Sequence, residues 1–496
     1  MFTQDAVLVI LWPFFAAFLV SLLGMFQKRW CYPLTIAALA WSLWDAIDLL
    51  RTVAAAPNGE VHYFLGDWKP PIGIEFVIDP LNAGLIVVIA LVALLAAIFS
   101  FHAVPKETPD KEAQFYTLYL LLVTGIMGMS ITGDAFNLYV FLEISSLASY
   151  ALIAMGPGRA ALSCFNYIIM GTIGASFYLL GVGYLYIKTG SLNMADIHQI
   201  MEANNLYETK TIHIGFILIL IGVWIKMAFF PLHRWLPDAY SYAPTSSSAV
   251  IAPLMTKVSI YVMIRYMYTV FSPAFVYLHK ERGTLVVWIA VLAILVGSFY
   301  ALARLKLRKI FSFLIVVEVG YMVGGVWLHN HNGLKGAVFH LLADALMTLA
   351  LFLFAGIVNY MNKTGNIRSM GGFYYRMPIT MAAFTITALS MIGIPPTAGF
   401  FSKWYLISGG IEAGHWGYVA ALLLSSLVNA VLFFRILERA FFDQPKLLPG
   451  VEINTKDKVP MTMVIPLVTT SLLILALGIF SSPVFQFISR YVSGTE

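Results

Sequence analysis

Gly222-Val223-Trp224-Ile225-Lys226-Met227-Ala228-Phe229-Phe230-Pro231 sets a lysine inside an apolar run, five residues before a proline. The run extends over 212–233, long enough to cross the roughly 30 Å of hydrocarbon in a bilayer. Pro231 and the following Pro237 forbid a continuous helix, so the carbonyls they free need water or neighbours. A charged side chain at the bilayer centre costs about 2.5–3.5 kcal/mol. Lys226 is therefore expected to face the interior of a helix bundle, water, or an opposite charge.

The rest of the chain repeats the pattern. Its 496 residues are 60% hydrophobic and 11% charged, against roughly 25% charged in soluble domains. A single soluble core stops growing at about 250–300 residues. Spans are predicted near 6–24, 31–50, 79–101, 114–132, 134–155, 162–187, 212–233, 247–270, 284–303, 308–329, 333–360, 377–407, 416–441 and 462–490. The expectation is an all-α polytopic membrane protein of about 14 transmembrane helices. The first run has no basic leader and the second follows directly after Lys28 and Arg29, so it is read as a span and not a cleaved signal.

Cys31 and Cys164 fall at or inside spans, leaving no disulfide framework and no cysteine metal or iron–sulfur motif. Aromatic belts at the two interfaces account for much of the Trp and Tyr content, and no cofactor is expected. The net charge of +5 is no nucleic-acid signal, because the positive charge is sorted by loop. With the N-terminus outside, one set of loops holds roughly twice the Lys and Arg of the other. Calling the richer set cytoplasmic places both termini outside, in a bacterial or archaeal cell (inner) membrane. Lys226, Lys257, Arg265, Lys403 and Arg435 lie within spans, the two arginines near helix ends where they can snorkel.

No soluble domain interrupts the spans. The chain divides into 1–113, with three helices and an outer loop; 114–270; 284–441; and 442–496, a cytoplasmic connector (442–461) with the last helix. Alternation within 51–78 predicts a short outer β-hairpin. The second and third pieces each hold five spans, and an odd-numbered repeat inserts upside down relative to its twin. Glu143 and Glu318 occupy comparable spans. Lys226 precedes Pro231 as Lys403 follows Pro396. Broken helices at matching places in inverted halves point to an ion path.

Glu143, mid-span, is the expected partner of Lys226. Burial and pairing push such groups in opposite senses, so a buried Glu–Lys pair exchanges a proton when its spacing changes. The plainer alternative is a fixed salt bridge between helices. Lys257 lies one span further on, and His233 and Asp238, near the cytoplasmic end, are positioned to pass protons inward. His340, Asp344 and Thr348 recur every four residues and share one helix face, as a relay or as an ordinary hydrogen-bonded pair. Glu318 is the second buried carboxylate, and Lys403 follows a second helix break at Pro395 and Pro396.

The stretches 132–143, 226–240, 252–258 and 393–403 resemble the antiporter-like subunits of the complex I superfamily. The likeness is nearest to the D-type subunit of Mrp multisubunit Na⁺/H⁺ antiporters and to related membrane-bound hydrogenase subunits. It implies fourteen helices, two inverted five-helix repeats, broken helices 7 and 12, and charges along the membrane midplane. It assigns Glu143 and Lys226 to the family's pair, Lys257 to the connecting lysine and Lys403 to the distal one. Two positions depart from the pattern: Asp344 stands for a histidine and Thr348 for the central lysine. Glu318 stands where a histidine or small polar residue is common, so the second half is either rewired with carboxylates or silent.

The leading expectation is proton, and perhaps Na⁺, translocation inside a larger assembly of membrane subunits. Alternatives are a proton-pumping subunit of a redox complex, a scaffold in CO₂ or bicarbonate uptake, and a self-sufficient solute transporter. Any redox chemistry would belong to a partner subunit.

Overall fold

The computed structural model describes residues 4–56, 59–278, 280–362, 365–442 and 459–493. Of the expected connector at 442–461, residues 443–458 lie outside the described residues. In chain order the helices are α1 Asp5–Gly24, α2 Cys31–Ala55, α3 Pro80–Glu107, α4 Glu112–Ile131, α5 Ala135–Ala154, α6 Ala160–Thr189 and α7 Met194–Ala203. They continue with α8 Lys210–Lys226, α9 Leu236–Tyr242, α10 Thr245–Arg265, α11 Pro273–Val276, α12 Lys280–Leu302, α13 Leu307–Trp327 and α14 His331–Asn362. The last are α15 Phe373–Arg376, α16 Pro378–Ile392, α17 Ala398–Glu412, α18 Trp416–Phe442, α19 Met461–Ile479 and α20 Ser481–Ser493.

Twelve helices are long and apolar enough to cross a membrane, counted among the described residues. Two more crossings are split, α8 from α9 and α16 from α17, each at a proline turn. Together they make the expected fourteen. The chain is a multi-pass α-helical membrane protein. Several boundaries differ from expectation. The second, third and twelfth crossings run on to Ala55, Glu107 and Glu412, and 462–490 divides at Phe480 into α19 and α20. There α20 turns to pack Phe485 on Phe339 and Tyr405, with ring centroids 4.3 and 4.1 Å apart.

The most apolar 18-residue windows of α10, α13 and α14 are wholly buried. Helices apolar on every side belong at a centre. Around them α1, α2 and α6 turn Phe15, Phe18, Trp41, Trp44 and Phe165 outward, as lipid-facing helices do. Helix contacts in a bilayer depend on close packing of small residues. A Cβ on Gly222 of α8 would lie 2.6 Å from the Gly174 carbonyl of α6, so only glycine permits that approach.

The outer hairpin forms as expected, with β1 (Val61–Phe64) antiparallel to β2 (Glu75–Ile78). His62 stands between Glu60 (3.3 Å) and Glu75 (2.7 Å), whose hydrogen bonds hold it charged up to about 10. Burial alone would raise Glu75, but its bonds to His62 and Asn193 keep it below the usual carboxylate range. The histidine's contribution is complete below its ordinary pKa and is lost as pH rises through about 10. His62→Gln is therefore expected to flatten an alkaline loss of hairpin protection, read by amide exchange between pH 7 and 10.5.

Candidate ion-transfer site

In the first half, Asp134 caps α5 through the Asn137 amide at 2.6 Å, starting the helix that carries Glu143. Glu143 is half-buried, beside the exposed Val140 and Leu147, and its shielded Oε1 has no hydrogen-bond partner. Lys226 is the last residue of α8, where a cation meets the negative end of the helix dipole. Its ammonium donates to Ser146 Oγ at 2.7 Å, one turn along α5 from Glu143. The expected direct Glu143–Lys226 pair is not made within 4 Å, and the ammonium bonds the serine hydroxyl instead. The carboxylate still acts on Lys226 through space.

The break after Lys226 turns through Ala228 at φ 58° and a cis Phe230–Pro231 bond. Of the carbonyls it frees, Ile225 O accepts Trp235 Nε1 at 3.1 Å, and Trp235 stacks on Tyr167. His233 and Asp238 are not brought together. His233 stacks on Phe230 with its Nδ1 unpartnered, while Asp238 accepts from Lys309 at 2.6 Å.

At the centre, Lys257 of α10 reaches α14. Its ammonium lies 2.8 Å from Asp344 Oδ2 and 3.1 Å from Thr348 Oγ1, and Thr348 donates to Asp344 Oδ1 at 2.9 Å. Both side chains of the ion pair are 0% exposed. Asp344 thus sets a carboxylate against the Lys257 ammonium at the centre of the bundle.

In the second half, Glu318 Oε2 of α13 meets His340 Nε2 of α14 at 2.5 Å, and His340 Nδ1 meets Ser402 Oγ of α17 at 2.8 Å. His340 and Asp344 share a helix face but hold different partners. Next to Ser402, Lys403 donates to Met391 O (2.7 Å), the penultimate carbonyl of α16, with Ser426 Oγ at 3.3 Å. Both breaks therefore carry a lysine: Lys226 is the last residue of α8, and Lys403 reaches the carbonyl-rich end of α16 with its ammonium. Glu318 and Asp344 act on Lys403 through space. A cis Pro395–Pro396 bond marks this break too.

Glycine makes the second break possible. A Cβ on Gly399 would fall 1.9 Å from Ser390 O, the carbonyl of the residue just before Met391. Gly399→Ala is expected to overpack the junction by about 1–3 kcal/mol and to shift Lys403. Lower thermal stability together with reduced transport is the result that checks it.

Sequence reasoning missed several partners. Arg265 does not snorkel: it bonds Asp79 at 2.7 Å and Tyr261, with both charges buried. Arg435 does reach a helix end, at the Arg304 carbonyl. Asp45 is a buried carboxylate in the second span held by Trp12 Nε1 at 2.7 Å, and its place in an apolar run was signal enough to find it.

Fold and charges together define a multi-pass bundle with several ionisable groups buried between its helices. The chain belongs to the NADH:quinone oxidoreductase/Mrp antiporter transmembrane family, whose pattern matches residues 132–429. It is 42% identical, over 98% of its own length and 97% of the relative's, to the N subunit of NADH-quinone oxidoreductase from Desulforudis audaxviator. It is 33% identical to the D subunit of the Na⁺/H⁺ antiporter from Bacillus subtilis, over 78% of this chain and 77% of that one. Among solved structures, it matches a chain of an archaeal respiratory complex, the membrane-bound sulfane sulfur reductase, with TM-score 0.89 and 30% identity. That match covers 99% of this chain and 97% of the other. A chain of the Mrp complex from Dietzia shares the fold at TM-score 0.85 and 24% identity, over 98% and 96% of the two chains.

Proposed function

We propose that this chain is a proton-translocating membrane subunit of a multisubunit cation/proton antiporter. Protons pass along Glu143, Lys226, Lys257, Asp344, His340, Glu318 and Lys403, with His233 and Asp238 near the cytoplasmic mouth. The observation that carries the reading is the dry Lys257–Asp344 pair joining the two halves, with a charge-bearing device on either side. A buried ammonium between two acceptors gives up its proton when one acceptor withdraws, because burial and pairing oppose each other. The two halves are 114–270 and 284–441, inverted with respect to one another. The Lys- and Arg-rich loops face the cytoplasm of a bacterial or archaeal cell and both termini lie outside. Other membrane subunits complete the assembly, and Na⁺ is a second candidate ion.

A second reading has support of its own: the 42% identical relative carries a quinone oxidoreductase name, and the sulfane sulfur reductase match is respiratory. There the same proton file would be driven by redox chemistry in a partner. Everted vesicles holding the native complex, with wild type set against Glu143→Ala, test the proposal by ΔpH formation and Na⁺ efflux. An assembled variant that loses proton movement supports it, and Na⁺ dependence separates the two readings. Unchanged proton movement would move the assignment toward a scaffold.

A further inference from the structure

Away from the charged file, a cavity of about 530 Å³ opens where the C-terminal ends of α3 and α14 meet the N-terminal ends of α10 and α13. Lys106, Lys306, Arg308 and Lys309 line it, against one carboxylate, Glu107, among the described residues of the lining. Lys309 is neutralised by Asp238. Lys106 donates to the Tyr360 carbonyl and Arg308 to the Ala243 carbonyl, both neutral acceptors, and Glu107 is the anion that acts on Arg308 through space. Glu107 is already occupied by the Thr245 amide (2.7 Å) and hydroxyl (2.6 Å) at the start of α10. The walls therefore carry about two positive charges more than they hold negative ones. Lys106 and Lys306 are exposed and Arg308 and Lys309 half-buried, and all four line the one space.

We propose that this cavity binds a phosphate group, either of an anionic phospholipid headgroup or free in solution. A phosphate brings charge and several acceptor oxygens, matching a fork from Arg308 with ammonium groups beside it. Basic pockets between transmembrane helices on the cytoplasmic side suit such headgroups, and this end of the bundle is the Lys- and Arg-rich one. The volume exceeds that of a bare phosphate and leaves room for a glycerol backbone. No group of the proton file lines the cavity. The inference draws on the proposed orientation only for which leaflet supplies a lipid.

The test uses the purified native complex, delipidated and returned to nanodiscs of phosphatidylcholine with or without phosphatidylglycerol, alongside inorganic phosphate in solution. Native mass spectrometry counts retained phosphatidylglycerol for wild type, for Lys306→Gln with Arg308→Gln, and for a control, Lys111→Gln, on the same face outside the cavity. Losing two charge-assisted contacts is expected to weaken binding about tenfold or more in the double variant and not in the control. Competition by inorganic phosphate at millimolar concentration would mark a free-phosphate site; its absence would mark a lipid site. Equal retention by wild type and double variant, with no phosphate effect, would overturn the proposal. Should the double variant fail to assemble, Lys106→Gln with Lys306→Gln makes the same comparison without touching the Arg308–Ala243 contact.

Discussion

Asp344→Asn is expected to stop proton movement and to cost about 3–5 kcal/mol of stability, because it strands the ammonium of Lys257 in a dry interior. Thr348 cannot make up the loss, since a hydroxyl offers lone pairs but no charge. Replacing both partners separates structure from transport. Lys257→Met with Asp344→Leu removes the desolvation penalty along with the attraction, and such swaps are often neutral or stabilising. The double variant should thus recover most of the stability and none of the transport. Thermal unfolding of the purified complex and ΔpH in everted vesicles measure the two effects. A double variant that still pumps would reduce the pair to a structural clamp.

Glu318→Gln should lower transport by about a hundredfold, the scale typical of removing one proton-transferring group, while leaving the bundle assembled. The amide can keep a hydrogen bond to His340, so shape is preserved and the titrating carboxyl is removed. Initial proton flux per assembled complex is the measurement. Full transport by Glu318→Gln alongside loss by Asp344→Asn would mean that the carboxylate-rich second half is silent and that protons leave before reaching Lys403.

Much of the fold was legible because lipid imposes a simple requirement. A helix must be apolar for about 20 residues to cross, and most of these spans are. The two broken crossings were legible in Pro231 and in Pro395–Pro396 for the same reason: a proline inside an apolar run leaves carbonyls that something must satisfy. The division at Phe480 was marked in the sequence but overlooked: Ser481-Ser482-Pro483 follows it, and α20 is amphipathic, packing Phe485 on Phe339 of α14 and Tyr405 of α17.

The ionisable site residues were also legible, being costly wherever hydrocarbon surrounds them. Their partners were not. Ser146 and Ser402 are ordinary small residues for a membrane helix, and nothing in their neighbours marks them as ligands of Lys226 and His340. Arg265 finds Asp79 across 186 positions of sequence, a distance over which no periodicity argument reaches. Asp238 sits five residues from His233, yet bonds a lysine on α13.

The Lys257–Asp344 contact also has an electrical consequence. Its two charges lie 2.8 Å apart on two packed helices, each long and apolar enough to cross a membrane, so the contact itself spans only a small part of a bilayer's thickness. A charge carried fully across gains about 2.3 kcal/mol per 100 mV, whereas a sideways displacement crosses almost none of that drop. On the proposed route, a proton handed across this short contact would cross little of the voltage drop, and the membrane potential would act chiefly on the legs that lead to and from it.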